Sequence, residues 1–138
     1  MYKTKSDAYN GYHQVKLHAD SQHLTTFITE NGRYQYLRAP QGLSSSGDAY
    51  VHRYDDIIKG IDKKVKIIDD ALLYDPSVEE SFFHTFEYVK VCAENGVTLN
   101  PEKFKFCRKE LDFCGIAIAH QMQQFLQSRN SLFQNTQL

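Results

Sequence analysis

The stretch Val65-Lys66-Ile67-Ile68-Asp69-Asp70-Ala71-Leu72-Leu73-Tyr74-Asp75 places two adjacent carboxylates between two apolar runs. Apolar, β-branched runs on either side of a short polar pair predict a tight β-hairpin with the acids at its turn. Aspartate is also an ordinary turn residue, because its side chain hydrogen-bonds nearby backbone groups. The stretch alone therefore leaves two interpretations open, a solvated turn and a working pair of carboxylates.

The composition fits one domain with a sizeable core. The chain has 138 residues and is 41% hydrophobic, with nine Tyr and nine Phe. A formal net charge of −1 provides no basic face, which argues against a self-sufficient nucleic-acid binder. Three cysteines without a CxxC pair predict reduced thiols in an intracellular protein, with cytoplasm and nucleus both open. No apolar run reaches bilayer-spanning length, so no membrane partner is expected.

Strand patterns lie on both sides of the Asp-Asp hairpin. A short strand over residues 3–7 is followed by alternating runs, with Asn31-Gly32 as the turn of an inserted hairpin. Two more β-like runs cover residues 104–107 and 111–118. From residue 120 onwards Gln, Ser and Asn dominate, which predicts a disordered tail over 120–138 behind a domain of residues 1–119.

Two amphipathic helices are predicted, over about residues 45–59 and 78–94. Each begins with residues spaced for N-terminal capping, namely Ser45 with Asp48 and Ser77 with Glu80. Apolar residues recur at helical spacing and are expected in the core: Tyr50, Tyr54, Ile57 and Ile61 in the first helix, and Phe82, Phe86, Val89 and Ala93 in the second.

The order of these elements predicts an α+β fold. A β-α-β-β-α-β order packs as an antiparallel sheet with both helices on one face, here with a β-hairpin insertion. The other face of the sheet is expected to be open for a ligand. In this arrangement the first strand lies beside the central hairpin, so Asp7 approaches Asp69 and Asp70.

Three converging carboxylates would repel one another unless a hard cation lay between them. Ligands that are all oxygen, without His or Cys, favour Mg²⁺ or Mn²⁺ over zinc. Two such ions are the usual clamp for an in-line displacement at phosphorus. The residues alone therefore point to metal-assisted phosphoryl or nucleotidyl transfer.

Seven segments form a series in sequence order: Ser6-Asp7-Ala8-Tyr9-Asn10-Gly11-Tyr12-His13-Gln14, Thr25-Thr26-Phe27, Gly32-Arg33-Tyr34, Ala39-Pro40-Gln41-Gly42-Leu43, Ile68-Asp69-Asp70, Asn95-Gly96-Val97-Thr98-Leu99-Asn100-Pro101-Glu102-Lys103 and Leu111-Asp112-Phe113-Cys114-Gly115. This series resembles the catalytic motifs of reverse transcriptases from gypsy-type LTR retrotransposons. The resemblance spans about residues 3–119. It implies the ferredoxin-like palm of a retrovirus-like Pol polyprotein.

The resemblance also implies a role for each matched residue. Asp7, Asp69 and Asp70 would bind two Mg²⁺ ions, or Mn²⁺, which activate a primer 3′-hydroxyl. The residues implied in nucleotide binding are Ala8, Tyr12, Gln41, Gly42 and Lys103, and those implied in contacting the primer are Phe113 and Gly115. Tyr12 would exclude a 2′-hydroxyl, and Lys103 would protonate the leaving pyrophosphate.

Each of these residues also has an ordinary structural interpretation. A half-buried tyrosine, a loop glycine, a surface lysine and an apolar strand residue are common in any fold. Two positions depart from the family pattern, since Ile67 stands where Tyr or Phe is usual and Gly47 where Pro is frequent. The aromatic ring that contacts the primer terminus is therefore not supplied at Ile67.

The resemblance implies RNA or DNA template-primer, dNTPs and the remaining Pol subdomains (fingers, thumb and ribonuclease H) as partners. The leading hypothesis is the palm fragment of an RNA-directed DNA polymerase that performs two-metal nucleotidyl transfer. The alternative is a catalytically inactive retrotransposon remnant or a domesticated interaction domain. A stand-alone metal phosphohydrolase fits the carboxylates but not the ordered motif series.

Overall fold

A computed structural model describes residues 1–119, so the predicted Gln-rich tail over 120–138 lies outside the described residues. The elements, in chain order, are β1 (Tyr2–Asp7), α1 (Ala19–Gln22), β2 (Phe27–Thr29), β3 (Gly32–Tyr34), α2 (Ser44–Ile58), β4 (Lys64–Ile67), β5 (Asp70–Asp75), α3 (Val78–Glu94), β6 (Lys105–Arg108), β7 (Leu111–Phe113) and β8 (Ile116–Ile118). Short 3₁₀ turns at Gly11–Gln14 and His23–Thr25 join β1 to β2.

The main sheet is antiparallel, with strand order β4-β5-β1-β6. Helices α2 and α3 pack together on one face, and their contacts with β5 form the larger core. That core contains Tyr50, Tyr54, Ile58, Ala71, Leu73, Tyr88 and Cys92. The predicted α+β fold, an antiparallel sheet with two helices on one face, is confirmed.

The opposite face of the sheet is partly covered, contrary to the expectation of an open face. The run 111–118 folds as the β7–β8 hairpin, because Cys114 and Gly115 both take positive φ angles of 50° and 77°. Two successive positive φ angles are typical of a two-residue type I′ turn. The hairpin packs on the sheet through a second core that contains Val65, Leu72, Leu111, Phe113 and Ile118.

The predicted core stripe of α3 is wrong. Phe82 and Phe86 are 55% and 62% exposed, and Val89 and Ala93 are also exposed. The residues of α3 that face the sheet are instead Ser81, Thr85, Tyr88 and Cys92.

A chain of hydroxyl groups explains this orientation. Thr85 donates to Thr4 Oγ1 at 3.2 Å, and the Ser6 and Tyr88 hydroxyls lie 2.5 Å apart. The Tyr88 hydroxyl also lies 2.5 Å from the Tyr54 hydroxyl on α2. Because β1 presents hydroxyls on this face, α3 turns its own polar side chains inward, where buried polar groups need partners.

Of the two predicted N-terminal helix caps, one forms and the other does not. At α3, Ser77 accepts a hydrogen bond from the Glu80 backbone amide at 3.1 Å, as the capping box predicts. At α2 the N-cap is Leu43, without a side-chain cap, so the predicted pair of Ser45 and Asp48 does not form. Of the stripe predicted for the first helix, Tyr50 and Tyr54 are buried on α2 and Ile61 is buried three residues beyond its end, whereas Ile57 is only half-buried.

The inserted hairpin forms as β2–β3, with Thr29 opposite Gly32. Its two-residue turn is therefore Glu30-Asn31, one residue earlier than predicted.

Candidate active site

The predicted carboxylates meet at one end of the main sheet. Asp7 is the last residue of β1, and Asp70 is its direct partner at the start of β5. Residues directly opposite in an antiparallel pair project to the same face, with Cβ atoms about 4.5–5.5 Å apart. The Ala8 amide donates to the Asp69 carbonyl at 3.1 Å, which fixes the turn against the end of β1.

The turn that carries Asp69 is strained. Ile67 pairs with Asp70, so Ile68 and Asp69 form a two-residue turn, and Ile68 has a φ of 54°. A β-branched residue rarely adopts a positive φ, which costs on the order of 1–3 kcal/mol. Such strain is found at functional sites because the surrounding structure holds it in place.

A cavity of about 180 Å³ opens beside the carboxylates. Its lining comes from five parts of the chain: the end of β1 with the following turn, the loop before α2, α2 itself, the β4–β5 turn, and the loop after α3. The lining residues include Asp7, Ala8, Tyr12, Gln41, Tyr50, Asp69, Asn100 and Lys103. Gly11 also lines it, and a Cβ there would lie 2.5 Å from a ring carbon of Tyr50, so the close approach requires glycine.

Asp7 is nine-tenths buried and paired with a lysine. Lys103 Nζ donates to Asp7 Oδ2 at 2.8 Å, although the Lys103 side chain itself is 60% exposed. The hydrogen bond and the charge of Asp7 raise the pKa of Lys103, so the ammonium holds its proton firmly. Burial raises the pKa of Asp69, and the charges of Asp7 and Asp70 add to that increase.

Asp70 faces the β7–β8 hairpin, and its contacts differ from those of the other two carboxylates. Lys5 Nζ lies 3.3 Å from Oδ1, and the Cys114 thiol donates to Oδ2 at 3.6 Å. Asp70 does not line the cavity with Asp7 and Asp69. Burial and the charge of Asp70 raise the pKa of the Cys114 thiol.

Among residues 1–119, no group of three or more His, Cys, Asp or Glu side chains is spaced to hold a metal ion. The donor chemistry nevertheless fits a hard cation, since Asp7, Asp69 and Asp70 offer only oxygen. Two of these carboxylates already lie against a cationic ammonium, Asp7 against Lys103 and Asp70 against Lys5. The site therefore has the charge that attracts a cation, but not a finished coordination shell.

The residues implied in nucleotide binding lie around the same cavity. Ala8 is buried in its wall, and Tyr12 packs edge-on against Tyr50 with ring centroids 5.6 Å apart. Gln41 lines the cavity, while Gly42 lines an adjoining groove with Tyr12 and has a φ of 89°. That positive φ is one that glycine adopts without strain.

The two residues implied in contacting the primer differ in accessibility. Phe113 is fully buried between the sheet and the β7–β8 hairpin, so its ring belongs to the core. Gly115 lies at the exposed tip of that hairpin. Of the two, only Gly115 is therefore accessible from outside.

Three site residues escaped the sequence analysis, namely Lys5, Asn100 and Cys114. Strand alternation places Lys5 on the same face as Asp7, which is the signal that could have found it. Asn100 and Cys114 stood within the matched motifs but had no assigned role.

Comparisons with known proteins show which family the chain is similar to. The profile of the family described as "Reverse transcriptase (RNA-dependent DNA polymerase)" matches residues 1–118. Polyprotein P3 of Commelina yellow mottle virus is 31% identical over 116 residues, which are 83% of this chain and 6% of that protein. The retrovirus-related Pol polyprotein from transposon 412 of Drosophila melanogaster is 29% identical, over 79% of this chain and 9% of that protein.

A solved structure shows the same fold. The foamy viral protease-reverse transcriptase in complex with an RNA/DNA hybrid superposes with a TM-score of 0.82 and 27% identity. The match covers 86% of this chain and 16% of that one. The chain therefore spans less than a fifth of each of these similar proteins.

Proposed function

The chain belongs to the reverse transcriptase (RNA-dependent DNA polymerase) family, and on that premise we propose that it carries the catalytic palm of an RNA-directed DNA polymerase. The observation that carries this proposal is the meeting of Asp7, Asp69 and Asp70 where β1 ends against the β4–β5 turn. Similarity to a transposon polyprotein, together with the ordered motifs, supports the narrower assignment to a gypsy-type element.

We propose that Asp7, Asp69 and Asp70 hold two Mg²⁺ ions, or Mn²⁺, for nucleotidyl transfer to a primer 3′-hydroxyl. When bound, such ions activate the attacking hydroxyl and neutralise charge on the leaving pyrophosphate. The supporting observation is the excess of negative charge at the site, which burial makes costly for Asp69. A cation relieves that cost directly.

The surrounding side chains would bind the incoming dNTP and the template. Tyr12 and Ala8 both line the cavity, where the ring of Tyr12 would exclude a ribose 2′-hydroxyl. Gln41 and Gly42 would let the backbone approach the base and the template. Lys103, which donates from Nζ to Asp7 Oδ2, would turn from that carboxylate to donate its proton to the leaving pyrophosphate.

The RNA or DNA template-primer would reach the site past the tip of the β7–β8 hairpin, near Gly115. The fingers, thumb and ribonuclease H regions of a Pol polyprotein are the proposed protein partners. Among the described residues, none of the helices is both long and apolar enough to cross a membrane.

Primer extension by the full chain, with Mg²⁺ or Mn²⁺, tests the proposal. Wild type should add dNTPs to an RNA-templated primer, and Asp69→Asn should lower the rate by about 100-fold or more, because a metal ligand is lost. Asp62→Asn changes an exposed carboxylate outside the site and should extend like wild type. Equal extension by Asp69→Asn and wild type would overturn the catalytic assignment.

A catalytically inactive remnant or domesticated interaction domain is the second candidate. The observation that favours it is the exposed aromatic surface formed by Phe82, Phe83, Phe86 and Phe106. Surfaces of this kind often mark contacts with other proteins. Calorimetry separates the two candidates, since tight binding of two metal ions favours the polymerase and a stable protein complex without metal binding favours the second.

A further inference from the structure

Side chains of β1 alternate between the two faces of the sheet, so they contact different parts of the molecule. Thr4 and Ser6 point to α3, whereas Lys3 and Lys5 lie on the opposite face, towards the β7–β8 hairpin, and strand alternation places Asp7 on that face as well. Two lysines therefore lie in line with the carboxylate at the end of the strand. This placement is unusual, because lysine is among the residues least often buried.

Lys3 is 1% exposed, and its ammonium is held by two backbone carbonyls. Nζ donates to the Lys109 carbonyl at 2.6 Å and to the Ala119 carbonyl at 2.5 Å. Residue 109 precedes β7 and residue 119 follows β8, so one side chain ties together both ends of the hairpin. Hydrogen bonds from a charged donor are stronger than neutral ones, which offsets part of the cost of burial.

Lys5 contacts the tip of the same hairpin. Its Nζ lies 5.8 Å from the centre of the Phe113 ring and 3.3 Å from Asp70 Oδ1. The thiol of Cys114, in the hairpin turn, reaches the other oxygen of Asp70 at 3.6 Å. Asp70 is thus connected to the tip of the hairpin in two ways, through Lys5 and through its direct contact with Cys114.

We propose that Lys3 and Lys5 are positioning residues that fix the β7–β8 hairpin on the catalytic strand, Lys3 at its two ends and Lys5 at its tip beside Asp70. The consequence for catalysis rests on the proposed function, in which this hairpin contacts the primer. A buried methionine in place of Lys3 fills a similar volume but makes neither hydrogen bond. The specific role of Lys3 is therefore separable from packing.

Hydrogen exchange on the full chain tests the structural part. In Lys3→Met, amides of residues 111–118 should exchange about tenfold faster. Local opening of the hairpin is easier in this variant, because the two charge-assisted hydrogen bonds of Lys3 are absent. Amides of β5 should stay within about twofold of wild type, and Lys3→Arg, which keeps donors, should recover part of the protection. Lys16→Met changes an exposed lysine and is the control.

Unchanged exchange of residues 111–118 in Lys3→Met would overturn the inference, as would an equal loss of protection in every strand. If Lys3→Met does not fold, Lys5→Met replaces it, and faster exchange confined to the hairpin is again the expected result. Unchanged exchange there would equally contradict the inference.

Primer extension tests the catalytic part. Lys3→Met should raise the KM for primer-template by about tenfold and leave the KM for dNTP within about twofold, because the hairpin ends lie away from the nucleotide cavity. If wild type extends primers and Lys3→Met keeps the wild-type primer KM, the positioning role fails while the proposed function stands. If wild type extends no primer, the proposed function fails, and the exchange result still decides whether the lysines hold the hairpin.

Discussion

Ile68 combines a strained backbone with an exposed side chain. Its φ is 54° and its side chain is 51% exposed, so the residue has little packing to compensate the strain. The position is the one that glycine occupies in a type II′ turn. The strain is therefore a property of the turn that carries Asp69, and glycine should relieve it.

Ile68→Gly should raise the free energy of unfolding by about 1 kcal/mol, because glycine adopts a positive φ without steric cost. Ile116 in β8 is the matched control, since it is equally exposed at 51%. Ile116→Gly should lower the free energy of unfolding by about 1 kcal/mol, through the loss of strand propensity. Urea denaturation measures the free energy of unfolding of both variants. Equal destabilisation by Ile68→Gly and Ile116→Gly would show that the backbone of Ile68 is not strained.

The position of Lys103 could be predicted from the sequence only in part. The motif placed it near the nucleotide, but its pairing with Asp7 joins positions 96 residues apart. No local pattern specifies such a contact, because it depends on how the loop after α3 returns to the end of β1. Lys5 was within reach of strand alternation, whereas the position of Cys114 required the hairpin to be folded over the sheet.

At the scale of elements, α3 is where hydrophobic periodicity failed. Its position, length and capping box followed from the sequence, but its orientation did not. The aromatic stripe was the stronger apolar signal, yet the face that packs is lined by hydroxyls that pair with Thr4 and Ser6. Such pairing is visible only when β1 and α3 are considered together.

The orientation of α3 can be tested by two substitutions that differ in burial. Phe86→Ser should change the free energy of unfolding by less than about 0.5 kcal/mol, because the ring is 62% exposed. Tyr88→Phe should cost about 1–3 kcal/mol, because the Ser6 and Tyr54 hydroxyls lose a buried partner. A larger loss for Phe86→Ser than for Tyr88→Phe in thermal denaturation would show that the aromatic face is buried.

The hairpins were predicted more fully than the helix orientation. The Asp-Asp hairpin forms, but its turn is Ile68 and Asp69, one residue earlier than predicted, so Asp70 is the first residue of β5. The run 111–118 was read as strand without its turn, because Cys-Gly is a weaker hairpin signal than Asn-Gly. That turn brings the hairpin back over the sheet and its Cys114 to Asp70.

At the scale of the whole molecule, the convergence of the carboxylates followed from topology alone. A first strand beside a central hairpin brings Asp7 opposite Asp70, whatever the details of packing. The ion pairs of Lys5 with Asp70 and of Lys103 with Asp7 could not be predicted in this way. They depend on packing contacts, which the order of the elements does not determine. The molecule thus presents three carboxylates at one end of its main sheet, with lysines against two of them.

Calorimetric titration of the full chain with Mn²⁺ tests this account most directly, because it depends on the carboxylates and not on extension activity. Two saturable sites are expected in wild type and in the control Asp62→Asn. Asp69→Asn should weaken Mn²⁺ binding by about tenfold or more, since it removes a ligand. Equal binding by Asp69→Asn and wild type, or no saturable binding by wild type at millimolar Mn²⁺, would contradict the metal site at Asp7, Asp69 and Asp70.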